Sequence, residues 1–180
     1  MSSVTGISED VHAASTYRLM GKGFAALRIF FGLVWLSNGL AKAFNSQKFD
    51  WLGFFSFTLI SRDGARGLAA NAASKTQIGP LGTFFQDVVV GNWGFVGIFQ
   101  TVVELAIGIG LLFGIATRLA AVGGLLLITP IWLMLWHTDL YLWQYPLDLF
   151  PLLLLAIVPA GRVAGVDRQL SARFGGRWPF

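Results

Sequence analysis

The chain contains no cysteine among its 180 residues. Disulfides, thiol catalysis, iron–sulfur clusters and thiolate zinc sites are therefore excluded within this chain. Its two histidines, His12 and His137, lie far apart in the sequence, so a haem held by a histidine pair is not expected either. We expect no haem, iron–sulfur cluster or metal site here.

Charge is also scarce, because Asp, Glu, Lys and Arg make up only 12% of the chain, about half the usual share. The formal net charge is +4, but the basic residues are scattered and form no Lys/Arg-rich run. Nucleic acid is therefore not an expected partner. The sequence also has no dinucleotide-binding glycine fingerprint, no P-loop and no nucleophile elbow.

The chain is instead rich in long apolar segments, and hydrophobic residues account for 55% of it. A bilayer core is about 30 Å thick and needs roughly 20 helical residues to cross it. A run from Phe95 to Trp136 would be about 63 Å long as one helix, so it must fold back, and its polar break lies at 116–118. The predicted spans are 23–44, 95–115, 118–136 and 140–158.

These spans predict an all-α membrane protein built as a four-transmembrane-helix bundle over residues 22–170. Residues 1–21 are expected to be a flexible cytoplasmic tail and residues 171–180 a basic C-terminal tail. Residues 45–94 are expected to form an extracytoplasmic cap on the membrane surface, because so long a structureless loop is unusual. The cap includes FDWLGFFSFTLI, which is too short to span and suggests an interfacial or re-entrant segment.

The distribution of Lys and Arg near the span ends predicts the orientation. With four spans, one side of the membrane receives the larger share of basic residues, and we assign that side to the cytoplasm of an inner cell membrane. Both termini are then cytoplasmic. The residues on that side are Arg18, Lys22, Arg118, Arg162, Arg168, Arg173 and Arg177.

Polar and small residues recur at helical spacing on three of the spans. Lipid cannot hydrogen-bond such groups, so these stripes should meet inside the bundle. From their depths we predict that Arg28 contacts Glu104, while Lys42 and Asp148 complete a set of four charges that sums to zero. Arg28, Lys42 and Arg118 are expected to form structural ion pairs, with Arg118 at the cytoplasmic turn.

Three interpretations of this polar core remain open. In the first, the charges only fix the register of the bundle, and in the second they serve ion or proton translocation. The third interpretation is a quinone pocket, which needs a flat apolar slot and groups that exchange protons at the carbonyls. Its expected residues are Glu104 and Asp148 as proton or hydrogen-bond donors, with Asn38, Trp132, Trp136, His137 and Tyr141 as binding residues.

The aromatic residues and His137 also have simpler explanations. Aromatic side chains near span ends commonly form an interfacial belt, and Trp136 and Tyr141 are well placed for one. His137 with Asp139 could act as a proton relay, or the pair could simply be hydrated at a helix end.

Several of these motifs together resemble the DoxX/DoxD family of small four-span membrane proteins. The resemblance covers about residues 22–170 and rests on the order of loose motifs, which are Arg28, Gly32 and Asn38-Gly39-Leu40-Ala41-Lys42, then Glu104-Leu105, Gly108, Leu111-Leu112, Gly114 and Thr117-Arg118, then Gly161-Arg162 and Asp167-Arg168. GPLGTFFQDVVVGNWG, from Gly79 to Gly94, is similar to the DoxD branch.

The resemblance implies a four-helix bundle in the cytoplasmic membrane and, for the DoxD branch, the membrane subunit of a thiosulfate:quinone oxidoreductase. We therefore expect a quinone-interacting subunit of an oxidoreductase complex, with a protein partner that delivers electrons. The alternative is a non-catalytic subunit that stabilises or anchors a larger membrane assembly.

Overall fold

The fold is mostly helical, and its longest helix is the first. A computed structural model describes residues 3–51, 55–138, 141 and 143–180, and of residues 3–13, 51 and 55 it describes the backbone alone. Helix α1 runs from Ser3 to Ala43, over 41 residues. The described part of the predicted N-terminal tail, residues 3–21, is therefore helical and continuous with the first predicted span.

The predicted cap region contains a β-hairpin and three short helical segments. Strands β1 (Lys48–Trp51) and β2 (Phe55–Thr58) pair antiparallel. Helix α2 covers Arg62–Lys75, α3 covers Gly79–Phe84, and a π-helix covers Phe85–Val90. The hairpin departs from the all-α prediction. Its alternating aromatic residues suit a pleated strand, and Leu52, Gly53 and Phe54 of the predicted re-entrant segment lie outside the described residues.

The long apolar run folds as two helices. Helix α4 spans Trp93–Phe113 and α5 spans Thr117–Leu135, within two residues of the predicted ranges. Gly114 and Ala116 between them adopt left-handed backbone conformations, with φ of 68° and 46°. A glycine tolerates this conformation freely, and it commonly ends a helix.

The fourth apolar segment is shorter as a helix than predicted. Helix α6 covers Pro146–Ile157, which is 12 residues or about 18 Å. It runs antiparallel to α5, because Arg118 Nε donates to Ala156 O at 3.0 Å near one end while Gly124 packs on Leu152 further along. Leu140, where the fourth span was predicted to begin, lies outside the described residues. A 3₁₀ turn (Ala160–Arg162) and helix α7 (Asp167–Arg173) complete the chain.

Three helices of the described residues are long and apolar enough to cross a membrane. They lie at Ala14–Ala43, Trp93–Phe113 and Thr117–Leu135. Their outer surfaces carry large apolar side chains such as Phe30, Phe113 and Leu126, which are 60%, 55% and 71% exposed. Exposed apolar surface on this scale suits contact with lipid rather than with water.

The closest packing in the bundle is between α1 and α4, and glycines make it possible. A Cβ atom on Gly32 would collide with the backbone of Leu112, and one on Gly108 would collide with the backbone of Leu36. The two helices therefore approach until their backbones are in contact, as small residues permit in membrane helices. These contacts fix the register of α1 against α4 and so decide which polar side chains meet.

Behind this contact lies an apolar core shared by α1, α4, α5 and α6. Its buried members are Phe31, Ile107, Leu111, Ala121, Leu152, Leu155 and Ala160. A second, smaller buried cluster joins α2 to the end of α5 through Ala72, Met134 and Leu135. Helix α2, within the 45–94 segment, is thus packed against the end of α5.

Candidate functional site

The polar stripe of α4 centres on Glu104, and its partner is Lys42. Lys42 Nζ lies 2.7 Å from Glu104 Oε2, and the two side chains are 3% and 7% exposed. The predicted Arg28–Glu104 contact is therefore wrong. Lys42, which the sequence placed in the same set of four charges, is the cation that pairs with the carboxylate.

Gln100 holds the second oxygen of the Glu104 carboxylate. Its Nε2 donates to Glu104 Oε1 at 2.9 Å, one helical turn away on the same face of α4. One carboxylate oxygen thus faces an ammonium and the other an amide. The ion pair compensates the buried charge of Glu104, and together with the hydrogen bond from Gln100 it fixes the direction of the side chain.

Arg28 is buried elsewhere, against the turn between α4 and α5. Its guanidinium donates to Leu111 O at 2.6 Å, Leu112 O at 3.0 Å and Ala164 O at 3.0 Å. Arg118 likewise donates to a backbone carbonyl, that of Ala156. The prediction of ion pairs for Arg28 and Arg118 is therefore corrected to hydrogen bonds with backbone carbonyls. Those of Leu111, Leu112 and Ala156 lie in the last turns of α4 and α6, where cations are favoured.

A buried carboxylate at the same turn was not predicted as a functional or structural residue. Asp167 is 2% exposed, and its two oxygens accept from Ala116 N at 2.7 Å and Thr117 N at 2.9 Å. These amides open α5, so Asp167 supplies the acceptors that the helix start lacks. The sequence did contain a signal for Asp167, because it is the single acidic residue in the basic C-terminal segment 159–180.

A cavity of about 370 Å³ lies beside the Lys42–Glu104 pair. Its walls come from α1, α4, α5 and α6, and the cap side is closed by α2 and the π-helix. The polar residues that line it are Asn38, Lys42, Gln100, Glu104, Tyr145 and Asp148, and the aromatic ones besides Tyr145 are Trp35, Phe85, Trp93 and Phe99. A concave, mostly apolar space with a few converging polar groups is typical of a small-molecule site.

The structure brings three of the residues predicted for the quinone pocket together at this cavity, namely Asn38, Glu104 and Asp148, beside the predicted ion-pair residue Lys42. Asn38 also joins the cap to α1, because its Oδ1 accepts from Ile60 N at 3.2 Å and its Nδ2 donates to Val34 O at 3.1 Å. Its amide group is therefore already bonded at both ends.

The other four predicted binding residues are not among the described lining residues of the cavity. Trp136 is 64% exposed, and Tyr141 is 65% exposed and stacks on Trp143 with ring centroids 4.8 Å apart. Trp132 is partly buried on α5. The exposure of Trp136 and Tyr141 favours the interfacial-belt explanation.

His137 connects the end of α5 to the end of α2. Its Nε2 lies 2.9 Å from Lys75 O. Asp139, the proposed relay partner, and the side chain of His12 lie outside the described residues. Among the residues that the structure does describe, no three His, Asp or Glu side chains cluster as metal ligands would.

The sequence did not single out Trp35, Phe85, Trp93 and Tyr145 as site residues. Trp35 shares a helical face with Asn38 and Lys42, so helical periodicity on α1 could have identified it as a site residue. Phe85 comes from the cap, and no helical periodicity connects it to the spans. Comparisons with protein-family models, with curated proteins and with solved structures find no match.

Proposed function

We propose that this chain is an integral-membrane subunit that binds a quinone in the cavity beside Lys42 and Glu104. One observation carries the proposal: an apolar, aromatic-walled cavity of about 370 Å³ has buried charged groups on one wall. A quinone is flat and apolar except at two carbonyl oxygens, which need donors or proton-exchanging groups. The cavity offers both kinds of surface.

The proposed chemistry assigns different tasks to the polar groups. The Lys42 ammonium forms an ion pair with Glu104, and it has three N–H donors with which it can also donate to a carbonyl oxygen in the cavity. Asp148 lies half-buried in the cavity wall on α6 and is the candidate for proton exchange. Glu104, held by Lys42 and Gln100, positions the ammonium.

The same proposal includes the wider setting that the sequence predicts. Residues 140–158 form a fourth span, with α6 as its helical part, and 45–94 forms an extracytoplasmic cap. Both termini lie on the cytoplasmic side of the inner membrane. Electrons come from a protein partner, since the sequence has no cysteine to hold an iron–sulfur cluster and no dinucleotide-binding fingerprint. A thiosulfate-linked reaction rests on the resemblance to the DoxX/DoxD family alone.

The alternative, a structural or anchoring subunit, also has a specific observation in its favour. Glu104 is already engaged on both oxygens, by the ion pair with Lys42 and by the hydrogen bond from Gln100, as a network that only fixes helix register would be. In this case the cavity has no ligand, and the exposed parts of α1 and the cap contact the partner.

The test is quinone binding by the protein purified in a mild detergent. Bound quinone is extracted and identified, and a short-chain quinone is then titrated into nanodisc-embedded protein while tryptophan fluorescence is followed. We expect binding, and we expect Asp148→Asn to weaken it at least tenfold, or about 1.4 kcal/mol. Asp87→Asn, at an exposed carboxylate on the π-helix, is the matched control and should bind normally.

Two results would count against the quinone function. One is the absence of any bound or titratable quinone. The other is equal affinity for the Asp148→Asn and Asp87→Asn variants. If a co-purifying complex also keeps its turnover with Asp148→Asn and Glu104→Gln, the anchoring role is supported instead.

A further inference from the structure

Two residues that line the cavity, one on α4 and one on α5, also lie on the outer surface of the protein. Most of its described lining residues are buried or partly buried. Phe99 on α4 and Leu126 on α5 are exceptions, being 56% and 71% exposed while they also line the cavity. A side chain that touches both the interior space and the outer surface marks the edge of an opening.

This opening lies inside the apolar zone of the helices. Leu126 stands about halfway along the α5 span. The register of the helix pair places it near the level of Glu104, since Gly110 packs on Ala120 and Gly123 packs on Ile107. The route from the outer surface to the buried charges is therefore short and runs across the bundle, not along it.

The size of the cavity also favours an opening toward the bilayer. About 370 Å³ is near the lower end of the roughly 300–1,000 Å³ found for small-molecule pockets. It can accept a ring-sized head group, but a long hydrocarbon tail must lie elsewhere. An exit between two apolar helices offers such a tail the bilayer itself.

We infer that Phe99 and Leu126 frame a lateral portal, through which a membrane-dissolved amphiphile inserts its polar head while its hydrocarbon tail remains in lipid. This inference rests on the proposed function for the identity of the ligand, but the portal itself can be tested separately. The competing route passes Ile60, which is 43% exposed and lines the cavity at the cap side.

The absence of cysteine makes a direct test available, because a single introduced thiol has no competitor. Val34 lines the cavity and is partly buried, so Val34→Cys places the thiol inside. Its labelling rate is measured in liposomes with N-octylmaleimide, which dissolves in the bilayer, and with a sulfonated maleimide, which stays in water.

Bulky substitutions then block one route at a time in the Val34→Cys background. Leu126→Trp and Phe99→Trp should each slow labelling by N-octylmaleimide at least tenfold. Leu119→Trp and Ile98→Trp are the matched controls, since Leu119 and Ile98 are 50% and 55% exposed on the same helices but do not line the cavity. Neither control should change the rate.

The portal would be overturned if all four tryptophan variants label alike, or if neither reagent labels Val34→Cys. Ile60→Trp blocks the competing route at the cap side. The portal would also be overturned if the sulfonated maleimide labels Val34→Cys as fast as N-octylmaleimide does and only Ile60→Trp slows the labelling. Quinone affinity is measured on the same variants. Absence of quinone binding contradicts the proposed function, while the maleimide rates still decide the portal.

Discussion

Lys42 Nζ and Glu104 Oε2 lie 2.7 Å apart and join the end of α1 to the middle of α4. Both side chains are almost completely buried. A buried ion pair contributes little net stability compared with apolar residues, but a single remaining charge is costly. The pair therefore favours the one alignment of α1 against α4 that brings Lys42 beside Glu104.

Lys42→Met should lower the free energy of unfolding by about 3–5 kcal/mol, because it leaves a buried carboxylate without its cation. Glu104→Gln should destabilise for the complementary reason. The double variant should lose clearly less than the sum of the two single variants, as interacting neighbours do. Unfolding in mixed micelles measures all three, with Lys48→Met, at an exposed lysine, as the control. Additive losses would show that the two residues do not interact.

The sequence predicted that Glu104 lies in the interior of the bundle, and it misassigned the partner of Glu104 for a definite reason. Helical periodicity finds a buried face without knowledge of the other helices. Depth estimates treated every span as a straight rod measured from its own end. The real register of α1 against α4 is set by glycine contacts, with Gly39 against Leu105 and Gly32 against Leu112. Those contacts place Lys42 beside Glu104.

Other features depended on segments where periodicity carries no information. Ala65, Ala69 and Phe85, which close the cavity, come from the 45–94 segment. The sequence of this segment contains no pattern that indicates which ends of the long helices it packs against. The cap's hairpin was also missed, because its apolar aromatic residues suit a membrane interface as well as a strand.

A glycine comparison within α1 tests the close approach to α4. Gly32→Ala should destabilise the protein by about 1–3 kcal/mol, since its Cβ would collide with the backbone of Leu112. Gly23→Ala lies in the same helix with nothing within 4 Å of its new Cβ. It should be neutral or stabilising by up to about 1 kcal/mol, because alanine is the better helix former. Thermal unfolding in detergent distinguishes them, and equal effects would contradict the packing.

Arg28→Lys should be poorly tolerated although the charge is kept. The guanidinium reaches three backbone carbonyls on two separate segments, and an ammonium cannot match that spread of donors. Each hydrogen bond to a charged group is worth about 1.5–3 kcal/mol, so we expect a loss of at least that size in unfolding free energy. Arg66→Lys, at an exposed position on α2, is the control. A loss no greater than that of the control would show that the carbonyl contacts contribute nothing.

Asp167→Asn should loosen the start of α5 without unfolding the bundle. Asp167 offers one oxygen to Ala116 N and the other to Thr117 N, whereas asparagine has a single oxygen and would direct an N–H₂ group at the second amide. Losing one charge-assisted hydrogen bond should cost about 1.5–3 kcal/mol. Amide hydrogen exchange should accelerate at residues 116–120, with little change in the middle of α4. Asp87→Asn should leave exchange at 116–120 unaltered, and the same result for Asp167→Asn would mean that its carboxylate does not hold this turn.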